Sequence, residues 1–244
     1  VERGSTALDL AWASGVNAPQ LSQVDLNLDG LKDLVFFDRT GDRVITLLNT
    51  GGMGTGRYRH TRDYDHVWPF QQLHDWVLFR DYDCDGQEDI FTYSLAGFSV
   101  YRNTSSNGTL SFELLVYRTM CDYVFVDGSS QRTTLLVSAD DIPGIADIDG
   151  DGDLDMLTFA QLGTFVEYYK NLSMETYGTC DSLMFVRRNA CWGGFAENSS
   201  TNAITLNAEC FQAPSPEIGG PAPPGVPPAG AGRRPAPARR TRRR

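Results

Sequence analysis

The chain has 244 residues, 41% of them hydrophobic and 21% charged, which is enough to bury a core and ordinary for a globular protein. No apolar run approaches the roughly 18 residues of a membrane-spanning helix, so we expect no membrane span. The formal net charge of -10 hides an asymmetry: without the seven arginines in residues 233–244, 14 basic residues face 31 acidic ones. Such an acidic body attracts cations, and we expect no nucleic acid partner.

Three acidic loops recur along the chain. Residues 25–33 read DLNLDGLKD, residues 81–89 read DYDCDGQED, and residues 147–155 read DIDGDGDLD. Each matches D-x-[DN]-x-D-G-x-x-D and passes directly into an apolar run. The starts are 56 and 66 residues apart, so the chain contains an internal repeat.

The segments around each loop predict β-strands. A strand-like apolar or aromatic segment ends in Asn 14–16 residues after the last aspartate of each loop, at Asn49, Asn103 and Asn171. Each unit reads strand, acidic loop, strand, tight turn, strand and one further strand. We therefore predict an all-β fold of four-stranded antiparallel β-propeller blades with calcium-binding loops, forming an incomplete propeller of about three to four blades over residues 1–212. Residues 213–244, rich in Pro, Ala, Gly and Arg, are predicted to be disordered.

Crowded carboxylates repel one another unless a hard cation lies among them. Calcium takes six to eight oxygen ligands, and loops that offer oxygens at alternate positions suit it. Positions 1, 3, 5 and 9 of each loop offer side-chain oxygens, and position 7 offers its backbone carbonyl. We predict about three calcium ions, one per loop, with a structural role and an affinity on the order of 10⁻⁴–10⁻³ M. The predicted ligands are Asp25, Asn27, Asp29, Leu31 and Asp33; Asp81, Asp83, Asp85, Gln87 and Asp89; and Asp147, Asp149, Asp151, Asp153 and Asp155.

Two other interpretations of the loops are weaker. An EF-hand requires Glu at position 12, where this chain has Phe36, Thr92 and Thr158. A single copy could be an acidic surface turn in which Asp and Gly serve only turn geometry. Three copies with matching flanks favour metal binding.

The five cysteines contain no CxxC pair, which argues against a zinc site. Three of them fall within residues 180–210, so a local disulfide such as Cys191 with Cys210 is a candidate, although spacing leaves the pairing among Cys121, Cys180, Cys191 and Cys210 open. N-x-[ST] sequons occur at Asn103, Asn107, Asn171 and Asn198.

No catalytic motif is present in the sequence. The histidines lack metalloprotease spacing, and neither a G-x-S-x-G nor a Walker A motif occurs. No spacing among Glu113, Glu167, Glu175 and Glu197 singles out a pair for glycoside hydrolysis. We therefore predict that the protein is not an enzyme.

The three D-x-[DN]-x-D-G-x-x-D-[LIM] loops resemble FG-GAP/VCBS repeats, the calcium-loop blades of integrin-α-like propellers. The resemblance covers about residues 1–212. The segments GVNAPQLSQVDLNLDGLKDLVFFDRTG and CWGGFAEN, with FVEYYKNLSMETYGTCDSLMF, resemble secreted VCBS-repeat proteins of Bacteroidetes. The resemblance implies an extracellular or bacterial cell-surface location. Such propellers usually close with about seven blades, so it also implies that the remaining blades belong to a longer parent chain.

Two functions follow from this resemblance. The first is a non-enzymatic, calcium-stabilised module for adhesion or interaction with an unknown protein or carbohydrate ligand. The alternative is the propeller portion of a secreted polysaccharide-degrading enzyme, again with structural calcium. Carboxylates that converge away from the calcium loops would favour the alternative.

Overall fold

The computed structural model describes residues 15–52, 57–124, 129–161 and 163–210, together with the backbone of residues 2–3 and 6–7. Strands account for 44% and helix for 6%, which confirms the all-β class. Two short strands, β1 (Glu2–Arg3) and β2 (Thr6–Ala7), pair with each other near the start of the chain. The predicted disordered tail, residues 213–244, lies outside the described residues.

The first two sheets have the predicted order of strands. The first contains β3 (Pro19–Val24), β4 (Asp33–Asp38), β5 (Arg43–Asn49) and β6 (Tyr58–Thr61), each antiparallel to the next. The second contains β7 (Val77–Arg80), β8 (Asp89–Ser94), β9 (Gly97–Asn103) and β10 (Phe112–Val116) in the same arrangement. A single 3₁₀ turn at Phe70–Gln72 precedes β7. In both sheets the acidic loop joins the first strand to the second.

The third sheet is larger than predicted. Its four expected strands are β13 (Gly144–Ala146), β14 (Asp155–Phe159), β15 (Val166–Asn171) and β16 (Phe185–Asn189). A preceding hairpin of β11 (Met120–Val124) and β12 (Ser130–Thr134) extends this sheet, because β11 pairs in parallel with β16. The order is therefore β12-β11-β16-β15-β14-β13, and the hairpin covers an edge that four strands alone would leave open. Among the described residues, the three sheets do not close into a ring.

A second 3₁₀ turn at Trp192–Gly194 and two smaller elements complete the described chain. A short helix, α1 (Ser173–Tyr177), lies between β15 and β16; at five residues it is too short to produce a helical sequence period. A final hairpin consists of β17 (Phe195–Glu197) and β18 (Ile204–Leu206). Within the described residues, no helix has the length and apolar character needed to cross a membrane.

Side chains on β3 connect the first sheet to the second. Gln20 and Ser22 are buried, although an amphipathic strand normally buries its apolar face. Their side-chain oxygens accept the N–H groups of Val77 (2.8 Å) and Phe79 (3.2 Å), which belong to the outer edge of β7. The buried polar face of β3 thus satisfies the unpaired backbone of its neighbour.

Strand β13, the first strand of the third unit, lies near β7. The Arg80 guanidinium, at the end of β7, donates to the carbonyl of Ile145 in β13 at 3.1 Å. The first strands of the three units are therefore neighbours, in chain order. This arrangement places the acidic loops that follow those strands on a common side.

Two hydrophobic clusters fill the space between the sheets. The cluster between the first and second sheets includes Val24, Val35, Phe37, Phe70, Phe79, Ile90 and Phe112. The cluster between the second and third sheets includes Trp76, Phe91, Phe98, Val100, Leu135, Met156 and Phe185. Both faces of the second sheet are thus covered, which explains why β8 and β9 are almost continuously buried.

The structure pairs four of the five cysteines. The candidate pair Cys191–Cys210 is present, and Cys84 pairs with Cys180, a link that the spacing did not predict. Cys121 is buried and unpaired. Of the sequons, Asn103 and Asn171 are 4% and 1% exposed, so their side chains are inaccessible to a glycosyltransferase in the folded protein.

Candidate metal centre

The first halves of the three acidic loops share one hydrogen-bonding pattern. In each loop, Oδ2 of the aspartate at position 1 accepts the N–H of the glycine at position 6, and Oδ1 of position 5 accepts the N–H of position 7. The first contacts are Asp25 with Gly30 (2.8 Å), Asp81 with Gly86 (2.9 Å) and Asp147 with Gly152 (3.2 Å). The three glycines have φ values of +86°, +88° and +106°, which L side chains rarely adopt. The repeat seen in sequence is therefore also a repeat of conformation.

The aspartate at position 9 closes each loop from within the protein. Asp33, Asp89 and Asp155 are 0%, 1% and 0% exposed. In each, Oδ2 accepts the N–H of position 2 and Oδ1 accepts the N–H of the Asn that ends the third strand. These contacts join Asp33 to Leu26 (2.9 Å) and Asn49 (2.6 Å), Asp89 to Tyr82 (3.0 Å) and Asn103 (2.7 Å), and Asp155 to Ile148 (3.1 Å) and Asn171 (2.9 Å). Their service as metal ligands stays a prediction, but their backbone contacts explain why the motif and the distant Asn occur together.

The second and third loops bring carboxylates close together. Oxygens of Asp81, Asp83 and Asp85 lie within 4.8 Å of one another, as do oxygens of the third-loop group Asp147, Asp149 and Asp155. A further group in the third loop consists of Asp149, Asp151 and Glu175. Glu175, in α1, is a candidate ligand that the loop motif alone did not indicate.

The first loop differs because Asn27 stands at position 3. Its amide Nδ2 donates to Asp29 Oδ2 at 2.9 Å, and its Oδ1 accepts the Asp29 N–H at 3.2 Å. The first loop therefore carries one carboxylate fewer, with a neutral oxygen in its place.

Position 7 was predicted to offer only a backbone carbonyl, and its side chains differ as expected. Leu31 is exposed, whereas Gln87 is half-buried. Asp153 is fully buried, and its Oδ2 accepts the N–H of Met174 at 2.9 Å in the first turn of α1. The Asp153 side chain thus has a structural role of its own, which the repeat pattern did not reveal.

Buried oxygens without donors show that the loop residues fit a cation. The Asp83 side chain is 2% exposed, and neither of its oxygens accepts a hydrogen bond. Arg102 Nη2 lies 2.7 Å from Asp83 Oδ2 but outside hydrogen-bonding geometry, so this contact is an ion pair only. Asp149 Oδ1 and Asp153 Oδ1 are likewise buried without a donor. A buried carboxylate oxygen that accepts no hydrogen bond destabilises the fold unless a cation lies close to it. Carboxylate oxygens are also the ligands that calcium prefers.

Burial of the loop carboxylates changes their protonation. Burial raises the pKa of Asp89 to about 7 and that of Asp155 to about 6, although backbone N–H groups act in the opposite direction. It also raises the pKa of Asp33, and that of Asp153 to about 6. A divalent cation near these groups would favour their ionised forms.

Two basic residues that the sequence analysis did not single out contact the loops. Lys170 Nζ contacts Asp149, Asp151 (2.9 Å) and Glu175 (2.5 Å). Arg102 contacts Asp83 in the second loop. Each directly precedes the strand-end Asn of its unit, and this shared position is the signal that could have revealed them.

Direct contacts link the three loops in series. Lys32, at position 8 of the first loop, donates to both carboxylate oxygens of Glu88 in the second loop at 2.5 and 2.6 Å. The disulfide Cys84–Cys180 joins the second loop to the segment that follows α1. Cys84 Sγ also lies 3.7 Å from the carbonyl oxygen of Gly152 in the third loop. The loops therefore lie along one side of the three sheets.

Comparison with known proteins does not identify a family. No protein-family model matches the chain, and no curated protein matches it. The likeness to FG-GAP/VCBS repeats therefore depends on the loop motifs and their spacing.

Proposed function

We propose that this chain is a calcium-stabilised module of FG-GAP/VCBS type, whose three units are consecutive β-propeller blades. The observation that carries the proposal is the threefold recurrence of one loop conformation around crowded carboxylates. In the second loop, the buried oxygens of Asp83 accept no hydrogen bond. Calcium adds positive charge to that of the Arg102 ion pair and ties the first strand of each blade to the second. The metal has a structural role in this proposal.

We place the module outside the cell or on a bacterial cell surface. The two disulfides support this location, because disulfides persist mainly in oxidising compartments. Millimolar extracellular calcium would suffice for loops of modest affinity. The module serves adhesion or recognition of a protein or glycan, and the remaining blades of its propeller come from a longer parent chain.

A cavity beside the third sheet supports recognition of a glycan. It has a volume of about 530 Å³ and lies between the β11–β12 hairpin and the β14–β15 pair. Tyr123 and Tyr169 line it, together with threonine and glutamine side chains, and such a mixture of rings and polar groups suits a saccharide. Its one described carboxylate, Glu167, accepts hydrogen bonds from Tyr169 (2.6 Å), Tyr123 (3.1 Å) and Arg187 (2.7 Å).

Glycoside hydrolysis generally needs two carboxylates, separated by about 5–10 Å. Among the described residues that line the cavity, Glu167 is the one carboxylate and is fully hydrogen-bonded, so it supports recognition more directly than the alternative of a polysaccharide-degrading enzyme. An array of bacterial and plant oligosaccharides, probed with the protein in calcium and in EDTA, tests the recognition step. Release of reducing sugar from any bound polysaccharide would favour the enzyme instead.

Thermal unfolding and calorimetric titration with CaCl₂ test the calcium proposal. With dissociation constants of about 10⁻⁴–10⁻³ M, 10 mM CaCl₂ should stabilise the fold by about 1.4–2.7 kcal/mol per occupied loop. EDTA should lower the melting temperature, and calcium added back should restore it, whereas 10 mM MgCl₂ should do so less well. A melting temperature that is the same in EDTA and in calcium, with no heat on titration, would refute the proposal.

A further inference from the structure

Lys170 lies among the acidic groups of the third loop. It is the next-to-last residue of β15, and its side chain is 15% exposed. Its ammonium group contacts Asp149 Oδ2 and Asp151 Oδ2, at positions 3 and 5 of the loop, and also Glu175 of α1. The two loop oxygens belong to predicted metal ligands. The ammonium group therefore uses oxygens that a bound calcium ion would need.

The other two units provide an internal comparison. The residue before the strand-end Asn is Leu48 in the first unit, Arg102 in the second and Lys170 in the third. Leu48 is buried and brings no charge to its loop. Arg102 is half exposed and forms an ion pair with one aspartate, whereas Lys170 is mostly buried and forms ion pairs with three acidic groups. A basic side chain at this position is thus absent from the first loop, lies at the edge of the second and lies among the acidic groups of the third.

We propose that Lys170 is an internal cation that competes with calcium for the third loop. In the metal-free protein its ammonium group holds Asp149 and Asp151 together, so the third loop keeps its conformation without metal. A divalent ion enters only when the ammonium group leaves, because both cannot use the same oxygens and they repel each other. The third loop consequently binds calcium more weakly than its own carboxylates would without the lysine. This inference rests on the proposed calcium-binding function.

The third loop still offers carboxylate oxygens to a metal ion after the Lys170 ammonium group moves away. Asp149 Oδ1 is buried without a hydrogen-bond donor, and Asp147 lies close enough to share an ion with Asp149 and Asp155. The competition therefore sets the affinity of this loop and does not abolish binding. It also gives the three units different calcium requirements, although their loop motifs are nearly the same.

Replacement of Lys170 by methionine tests the competition. Methionine keeps an unbranched side chain of similar length and removes the charge. The chain offers a matched control, since its only other lysine, Lys32, contacts Glu88 and the Gly86 carbonyl oxygen and no predicted ligand side chain. In calorimetric titration with CaCl₂ alone, Lys170→Met should strengthen one site at least tenfold, and Lys32→Met should change no site more than twofold.

Thermal unfolding supplies a second measurement. In EDTA, Lys170→Met should melt at a lower temperature than both wild type and Lys32→Met, and saturating calcium should remove the difference. Lys170→Arg keeps a cation in the loop and should behave like wild type in EDTA. If Lys170→Met folds only with metal, that outcome would itself support an internal cation. Lys170→Arg should then still fold in EDTA, so the test remains decisive.

The outcomes separate this inference from the calcium proposal. If wild type binds calcium and Lys170→Met binds it with the same affinities, the competition is refuted and calcium binding stands. If neither protein gives heat with calcium, both proposals fall. If Lys170→Arg strengthens calcium binding as much as Lys170→Met, charge is not the reason and the competition is again refuted.

Discussion

Without metal, replacing Asp89 with asparagine should remove much of the pH dependence of stability between pH 5 and pH 7. Asp89 is 1% exposed, and burial raises the pKa of its carboxyl from 3.8 to about 7. A carboxyl with a higher pKa in the folded state binds its proton more tightly there than in the unfolded chain. Stability therefore falls as pH rises through this range, because the folded protein must release the proton into an unfavourable ionised state.

The expected magnitude follows from the number of protons involved. One proton held only by the folded state changes the free energy of unfolding by about 1.4 kcal/mol per pH unit. Because the pKa of Asp89 is about 7, half of this proton is released by pH 7, and the change between pH 5 and pH 7 is about 2 kcal/mol. Asparagine lacks this dependence. It also has one acceptor where Asp89 has two, so one of the buried N–H groups at 2.7 and 3.0 Å loses its partner, at about 1–3 kcal/mol.

Urea unfolding in EDTA at pH 5 and pH 7 measures both effects. The difference in unfolding free energy between the two pH values should be smaller in Asp89→Asn than in wild type by about 2 kcal/mol. Asp155, whose pKa is raised to about 6, is present in both proteins and contributes equally. Calcium should reduce the wild-type pH dependence, because a nearby cation stabilises ionised carboxylates. The same pH dependence in wild type and variant would refute this reasoning.

One single substitution and two double variants test the contacts that support the loops and the disulfides. Asn103→Ala removes two neutral hydrogen bonds to backbone, at 3.1 and 3.0 Å, and should lower the free energy of unfolding by about 2–4 kcal/mol in urea; a loss under 0.5 kcal/mol would contradict the assigned role. Replacing both Cys84 and Cys180 with serine should destabilise more than replacing both Cys191 and Cys210, by about 1.4 kcal/mol, because their sequence separations are 96 and 19 residues. Chemical denaturation of the two double variants provides the comparison, and equal stabilities would show that loop closure is not the main effect.

The local part of the fold could be predicted because it repeats. The acidic loop between first and second strands, and the Asn at the end of the third strand, are short-range patterns that occur three times. The hydrogen bonds that these residues make to the backbone could not be predicted from the sequence. Asp33, Asp89 and Asp155 were predicted as ligands, and the structure shows that each also holds two backbone N–H groups.

Long-range features could not be predicted from one sequence. The parallel pairing of β11 with β16 joins segments that lie about 60 residues apart, and it leaves no local pattern. The Cys84–Cys180 link has the same character, since cysteine spacing does not determine pairing. Lys170 was missed because a lysine in a strand usually reaches solvent, and only the position of α1 and the loop shows that it contacts three acidic groups.

The bond between Cys84 and Cys180 also determines what a protease can release. A single backbone cut anywhere between these two residues yields two polypeptides that remain one molecule, since the sulfur atoms still join them. A molecule nicked in this way would run as one band on a non-reducing gel and as two after reduction. Most of the second and third units could therefore be cleaved once without being shed.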